Sequence, residues 1–239
     1  MSDAVVWHDV ECGSYVADLE LWRGLAAAGG PVLELGAGTG RVALDLAEHG
    51  HQVTALDSEA ELLEQLAVRA EAAGVDVECL VADAREPALD ALFELVLAPM
   101  QLLQVVGGER ERAAVLAGAA AALRPGGRFA AAIAAVGDSL PAGDAVPPLP
   151  DIGERDGFVY SSQPVDVRAE RGGVAVERLR QRVSPRGELV EQRHTQRLEA
   201  LSVDELEREA AASGLTPLAR HSVAETTDHI GSMVVVCRR

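Results

Sequence analysis

Glycine stands at positions 36, 38 and 40, directly after the apolar run Val32-Leu33-Glu34-Leu35 and directly before Val42-Ala43-Leu44-Asp45-Leu46-Ala47. The first run reads as a short buried strand and the second as one face of a helix. Glycine at the join lets the backbone turn tightly and lets a ligand come close to it. The helix N-terminus then offers unpaired N–H groups to an anionic or polar ligand. Strand, glycine turn and helix together open a nucleotide-binding βαβ unit. Asp57 closes the next apolar run, Gln52 to Leu56. It lies about twenty residues beyond the turn, where such a unit sets a carboxylate against ribose hydroxyls. An ionised carboxylate only accepts, so it can take both hydroxyl protons. The other reading of Asp57 is an acid flanking the following helix. The spacing is G-x-G-x-G, and Arg41 fills the place of the third glycine of a dinucleotide fingerprint. A bulky residue there fits poorly with close helix–strand packing over a pyrophosphate, which disfavours a nicotinamide-dependent oxidoreductase.

The elements that must position these residues follow in order. Trp7 to Gly13 reads as polar and irregular, and His8, Asp9 and Glu11 read as a solvated segment rather than a metal cluster. From Ser14, a possible cap, Tyr15, Leu19, Trp22, Leu25 and Ala26 recur at helical spacing up to Gly29-Gly30. Ser58-Glu59-Ala60-Glu61 has the form of a capping box for the helix after Asp57. Val75 to Val81 and Leu92 to Ala98 read as the third and fourth strands. Glu109 to Leu123 reads as an Ala-rich helix, and Arg128 to Ala134 as the fifth strand. Val136 to Asp156 is rich in Pro, Gly and Asp and reads as a linker or lid. Between Phe158 and Leu201 the period changes to alternation, with turns at Arg171-Gly172-Gly173 and Ser184-Pro185-Arg186-Gly187. These are three or four antiparallel strands joined by hairpins. Ser202-Val203-Asp204-Glu205 is a second capping box, opening a helix that Gly214 ends. Leu215 to His221 and Ser232 to Cys237 close the sheet.

Glu34-Leu35-Gly36-Ala37-Gly38-Thr39-Gly40 closely resembles motif I of the class I S-adenosylmethionine (SAM)-dependent methyltransferases, and Leu123-Arg124-Pro125-Gly126-Gly127 resembles the same family. The antiparallel insert after the fifth strand resembles the small-molecule N-methyltransferases, amino-sugar and glycine N-methyltransferases among them. The resemblance runs from about Tyr15 to Cys237. It implies an α/β fold: a Rossmann-like, mostly parallel sheet with its last strand antiparallel. It divides the chain into a helical lid over residues 1–30, a cofactor-binding core over 31–135 and a linker or lid over 136–157. An insert capping the substrate covers 158–201, and the core sheet is completed over 202–239.

The resemblance also implies the cofactor, SAM, and its contacts. The methionine end lies over Gly36, Ala37 and Gly38, the ribose on Asp57, and the adenine by Asp83 and the Ala84 N–H. Tyr15, Glu34, Arg41, Ser58, Leu62, Ala98 and Pro99 complete the cofactor set. For Tyr15 the alternative is a core aromatic; for Asp83, a strand-ending acid at a turn. Ala98-Pro99-Met100-Gln101 lies where the family holds the reacting methyl, without the Pro-Pro-aromatic signature of amino-adenine methyltransferases. Substrate is expected against Met100, Gln101, Gln104, Tyr160 and His194. Tyr15, Gln101 and His194 are the candidates for catalysis, with no metal. Arg178, Arg180 and Arg182 share one strand face. Such a row either gathers an anionic group or pairs with acids across the sheet.

Composition bounds the partners. The chain has 239 residues and a formal charge of −17, and every basic residue is Arg, with no Lys. A nucleic-acid binder needs a basic face, so nucleic acid and anionic membrane are not expected. No run reaches the roughly 18 apolar residues of a membrane span. Met1 to Val10 lacks the basic and apolar regions of a signal peptide. The isolated cysteines Cys12, Cys79 and Cys237 form no metal pattern. The expectation is a cytoplasmic methyltransferase acting on nitrogen or oxygen of a small molecule, with a homodimer through the insert as a further possibility. The rivals are a non-catalytic SAM-binding or assembly protein and, behind it, an NAD(P)-dependent oxidoreductase.

Overall fold

A computed structural model describes residues 2–87, 89, 91–134, 148–226 and 229–239. Its main sheet has seven strands in the order β10-β11-β5-β4-β1-β2-β3. These are β1 (Val32–Leu35), β2 (Val53–Asp57), β3 (Val77–Val81), β4 (Phe93–Ala98), β5 (Leu123–Ala134), β10 (Thr216–Val223) and β11 (Ser232–Arg238). β1 to β5 run parallel, and β11 is antiparallel to both its neighbours. Both faces are covered, so the central strands read as continuous apolar runs rather than alternating ones. Val32, Leu95, Leu97 and Ala130 face a core containing Trp22, Leu25, Leu46 and Leu66. Leu33, Leu35, Val96 and Phe129 face the opposite core with Leu103, Leu116 and Leu206. The helices that close these cores are α2 (Leu19–Ala26), α3 (Arg41–Glu48), α4 (Ala60–Ala73), α5 (Leu102–Val105), α6 (Glu109–Ala122) and α7 (Val203–Ala212).

A second, antiparallel sheet has the order β6-β7-β8-β9, from β6 (Asp151–Arg155), β7 (Phe158–Glu170), β8 (Gly173–Val183) and β9 (Leu189–Glu199). β6 falls within the segment expected to be a linker, because Asp151 to Arg155 pairs with Phe158 to Ser162 across a tight turn. Residues 136–147 of that linker lie outside the described residues.

The N-terminal segment differs most from expectation. Asp3–Cys12 is a helix, α1, not an irregular stretch. Ser2 caps it, with Oγ accepting from the Val5 N–H at 3.5 Å, and Val5, Val6, Trp7 and Val10 are buried. His8, Asp9 and Glu11 face protein partners instead of water, which hid the helix from a search for an apolar stripe. The next helix begins at Leu19 rather than Ser14. Arg41 accounts for this by donating to the Tyr15 carbonyl at 2.9 Å and to both oxygens of Asp18. The Ser58 box does not form; Asp57 Oδ1 accepts the Glu59 N–H instead, at 3.0 Å. The Ser202 box forms as expected. α5 was not foreseen, being a single turn.

Candidate active site

The strand order reverses between β4 and β2 on either side of β1, and ligands of open α/β sheets bind at such a reversal, beyond the strand C-termini. β1 delivers the glycine turn to that crevice. Gly36, Gly38 and Gly40 have φ of 69°, 56° and 93°, a region L side chains rarely occupy. A Cβ on Gly36 would stand 3.2 Å from Leu102, and one on Gly38 only 2.2 Å from His8 Nε2. Asp57, at the end of β2, accepts the Gly38 N–H through Oδ2 at 2.8 Å. The carboxylate thus fixes the turn while standing beside it.

Beneath the turn, Glu34 is 3% exposed, and its Oε2 has no partner among the described residues. Burial pushes its pKa up to about 8, against the opposing pull of Arg41 and the Ala43 N–H. A buried carboxyl with an open acceptor is costly unless something meets it. At the exit of β4, Met100 takes φ of 57°. Strain of this kind in a non-glycine residue collects at functional sites. Gln101 follows as the N-cap of α5 without a side-chain cap bond, and Ala98 and Pro99 are buried beneath it. Leu62 is buried in the first turn of α4, and Ser58 is exposed beside Asp57. Asp83 and Ala84 lie just beyond β3. Arg85 clasps Asp83 through Nε, at 2.9 and 3.0 Å, and through its backbone N–H, which holds the carboxyl down to about 2.

Other expected residues have different surroundings. The Arg41 guanidinium points to Asp18 and the Tyr15 carbonyl, so its donors join α3 to α2. Gln104 is fully buried and occupied on both sides of its amide. Nε2 donates to the carbonyls of Ala134 and Glu199 at 3.0 Å each, and Oε1 accepts the Ala134 N–H at 2.7 Å. It clamps the end of β9 to the end of β5 rather than facing a ligand. Tyr160 is buried on the insert with its ring edge-on to Trp7 of α1 at 5.4 Å. His194 is exposed on β9 opposite Arg178; partial desolvation, then Arg180 and Arg178, lower its pKa. α1 stands between Tyr160, which meets Trp7, and Gly38, which meets His8. The arginine row is matched by acids of α1 and β6: Glu11 takes Arg180, Asp151 takes Arg178, and Asp3 lies 3.5 Å from Arg182.

Tyr15 is 8% exposed, in the turn before α2, with the Arg41 guanidinium 5.1 Å from its ring centroid and the His229 ring at 4.9 Å. Burial raises its phenol pKa, and its hydroxyl bonds Ser232. Ser232 pairs with Ala134, so this group lies at the C-terminal end of β5, the end that carries the crevice. Sequence reasoning gave His229 no role beyond a scattered histidine. It also missed His8, whose Nδ1 lies 3.2 Å from Thr39 Oγ1 and whose pKa burial lowers. The signal available for His8 was Ser2-Asp3 as a helix start followed by Val6 and Val10 at one-turn spacing. Among the described residues no cluster of His, Cys, Asp and Glu could hold a metal, and no helix is long and apolar enough to cross a membrane.

Residues 32–127 match the sequence profile of a family described as a methyltransferase domain. A cypemycin N-terminal methyltransferase from a Streptomyces species is 34% identical over 99 residues, 41% of this chain and 40% of that protein. The chain thus matches about 40% of the length of this curated relative. The CcbJ methyltransferase of Streptomyces caelestis superposes with a TM-score of 0.69 at 24% identity, over 95% of this chain and 91% of that one. The sugar N-methyltransferase KedS8 of Streptoalloteichus sp ATCC 53650 superposes with a TM-score of 0.78 at 16% identity, over 100% of this chain and 94% of that one. At these identities the likeness to the solved structures is one of fold. Residues 32–127, which carry the glycine turn, Asp57 and the β4 exit, are thus similar to a methyltransferase domain, and the described residues share the fold of these solved methyltransferases.

Proposed function

We propose that this chain is a SAM-dependent methyltransferase acting on a nitrogen of a small molecule. The observation that carries the proposal is the crevice at the end of β1. There a glycine turn with no room for side chains, a carboxylate at the end of β2 and a buried carboxyl with an unmet acceptor converge. These residues fit SAM. Asp57 has capacity left for ribose hydroxyls after accepting two backbone N–H groups. Glu34 offers an acceptor to a cationic amino group, and we place the methionine end beside the glycine turn, where Gly38 packs on the His8 ring. Asp83 and Ala84 stand at the next strand end for the adenine. When bound, the cofactor supplies a methyl group made electrophilic by its sulfonium.

The chain's own task is then positioning, which can supply much of a rate enhancement. Gln101 and the Met100 and Leu102 side chains offer the apolar wall and orienting group usual in a small-ligand pocket. Tyr15, with Ser232 and His229 at the end of β5, supplies polar groups from the other side. Nitrogen is favoured over oxygen because a chain of charge −17 attracts a cationic amine and does nothing for a neutral hydroxyl. The similar proteins, a cypemycin N-terminal methyltransferase and the sugar N-methyltransferase KedS8, point the same way. The same charge supports a reading without nucleic acid or anionic membrane as partner, and the free thiols Cys12, Cys79 and Cys237 support a reducing, cytoplasmic setting. The exposed Leu189 and Val190 on the edge strand β9 are where we place a homodimer contact. Transfer of labelled methyl from SAM to a panel of small amines, with matched alcohols, tests the proposal. Turnover of amines supports it. No SAM binding, or tight NADH binding in its place, overturns it.

A further inference from the structure

α1 touches two parts of the molecule with opposite faces. Toward the glycine turn, the His8 ring lies against Gly38, and Asp9 accepts from Thr39 Oγ1 at 2.8 Å. Asp9 also pairs with Arg69, which donates to the Thr39 carbonyl at 3.3 Å. Toward the insert, Glu11 accepts from Arg180 Nε and Nη2 at 2.6 and 2.7 Å and from Ser162 Oγ at 2.6 Å, with Arg178 Nε 3.5 Å away. The side chains of Glu11 and Arg180 are each 14% exposed. Beside them the Arg180 guanidinium lies 5.3 Å from the Trp7 ring centroid, and Val6, Trp7, Val10 and Tyr160 form a small core of their own.

A helix of ten residues is marginal by itself in water. α1 therefore takes its place from what it packs against, and the strongest directional contacts it makes on the insert side are those of Glu11. A charge-assisted, bidentate bond fixes geometry as well as adding energy. Moving β8 moves Glu11, and one turn back along the same helix His8 and Asp9 move against Gly38 and Thr39.

We propose that Glu11 is a positioning residue for the cofactor: its pairing with Arg180 and Arg178 ties α1 to the insert, so that the insert's position sets how tightly the glycine turn holds SAM. The inference rests on the SAM reading above. Linkage makes the coupling reciprocal: cofactor binding steadies β8, and a substrate that steadies the insert raises cofactor affinity by the same factor.

The test uses the full chain and S-adenosylhomocysteine as the probe. In calorimetry, Glu11→Gln weakens its binding by about tenfold, within the usual range of coupling between sites. Arg180→Met does the same, and the double variant loses no more than either single one, because both remove one link. In hydrogen exchange, binding of the probe to the unmutated chain slows β8, and in Glu11→Gln that slowing disappears. Unchanged affinity in Glu11→Gln, additive losses in the double variant, or no slowing in β8 of the unmutated chain overturns the proposal. The exchange measurement on the unmutated chain decides alone should the variants not fold. If the unmutated chain binds no S-adenosylhomocysteine, the cofactor reading has failed, a result distinct from intact binding without coupling.

Discussion

At the scale of single residues, two carboxyl groups at adjacent strand ends are set to opposite uses. Asp57 accepts two backbone N–H groups. On the proposed function, Asp57→Ala removes charge-assisted bonds to two ribose hydroxyls, each worth about 1.5–3 kcal/mol. It also frees the Gly38 N–H. We expect SAM affinity to fall on the order of a hundredfold or more, read by calorimetry, with the fold retained by circular dichroism. Glu34 is the reverse case, a carboxyl whose folded pKa of about 8 lies above its ordinary 4.5. Such a group binds its proton more tightly in the folded chain. Its contribution to stability is full below pH 4.5 and is lost as pH rises through about 8. Urea denaturation of the protein without ligand should therefore show a decline across that window that is shallower in Glu34→Gln. The difference should be on the order of 3–5 kcal/mol at most. Equal slopes in the two proteins count against a buried, protonated Glu34.

At the scale of elements, Gln104 shows how a single turn of helix joins two sheets. α5 carries its amide to the last residues of β5 and β9, where it satisfies three backbone groups. Gln104→Leu keeps roughly the volume and removes all three bonds. Each buried group left unpaired costs about 1–3 kcal/mol. We expect a loss of roughly 3 kcal/mol or more in denaturant unfolding, with the insert loosened first in hydrogen exchange. The sequence offered Gln104 as a pocket residue because an amide beside Met100 and Gln101 has the chemistry for it. Its partners are backbone atoms 30 and 95 residues away, and no local pattern predicts those. The same holds for α1. Ser2, Val6 and Val10 wrote a helix locally, but His8, Asp9 and Glu11 read as solvated because their partners, Thr39, Arg69 and Arg180, are remote in sequence.

At the scale of the whole molecule, charge separates the candidate substrates. An excess of 17 negative charges focuses cationic ligands and leaves neutral ones alone. Salt screens this over about a Debye length. For an amine substrate, KM should rise by about threefold or more as ionic strength goes from about 20 mM to about 200 mM, while kcat stays level. A neutral hydroxyl substrate should show no such rise. A flat KM for the best amine would remove the electrostatic argument for nitrogen.

The sequence by itself determined the parallel strands, the glycine turn, Asp57 and the antiparallel insert. Each is written in a local code: a run of apolar residues, glycines at fixed offsets, an acid ending a strand, a change of period from helical to alternating. These features depend on neighbours within a few residues, and β1 to β4, β10 and β11 lie within about two residues of where the pattern put them, whereas β5 begins at Leu123, five residues before Arg128, and β6 lies where a linker was expected. Tertiary structure alone decided which polar side chains meet the crevice and which hold the scaffold together. Arg41, expected at the cofactor, holds Asp18; Tyr160, expected at the substrate, packs on Trp7; His8, expected in a solvated segment, lies on Gly38. A polar side chain has the same chemistry in either role. Its role is fixed by the distant residue that reaches it when the two sheets and α1 come together, and that is a property of packing, not of spacing along the chain.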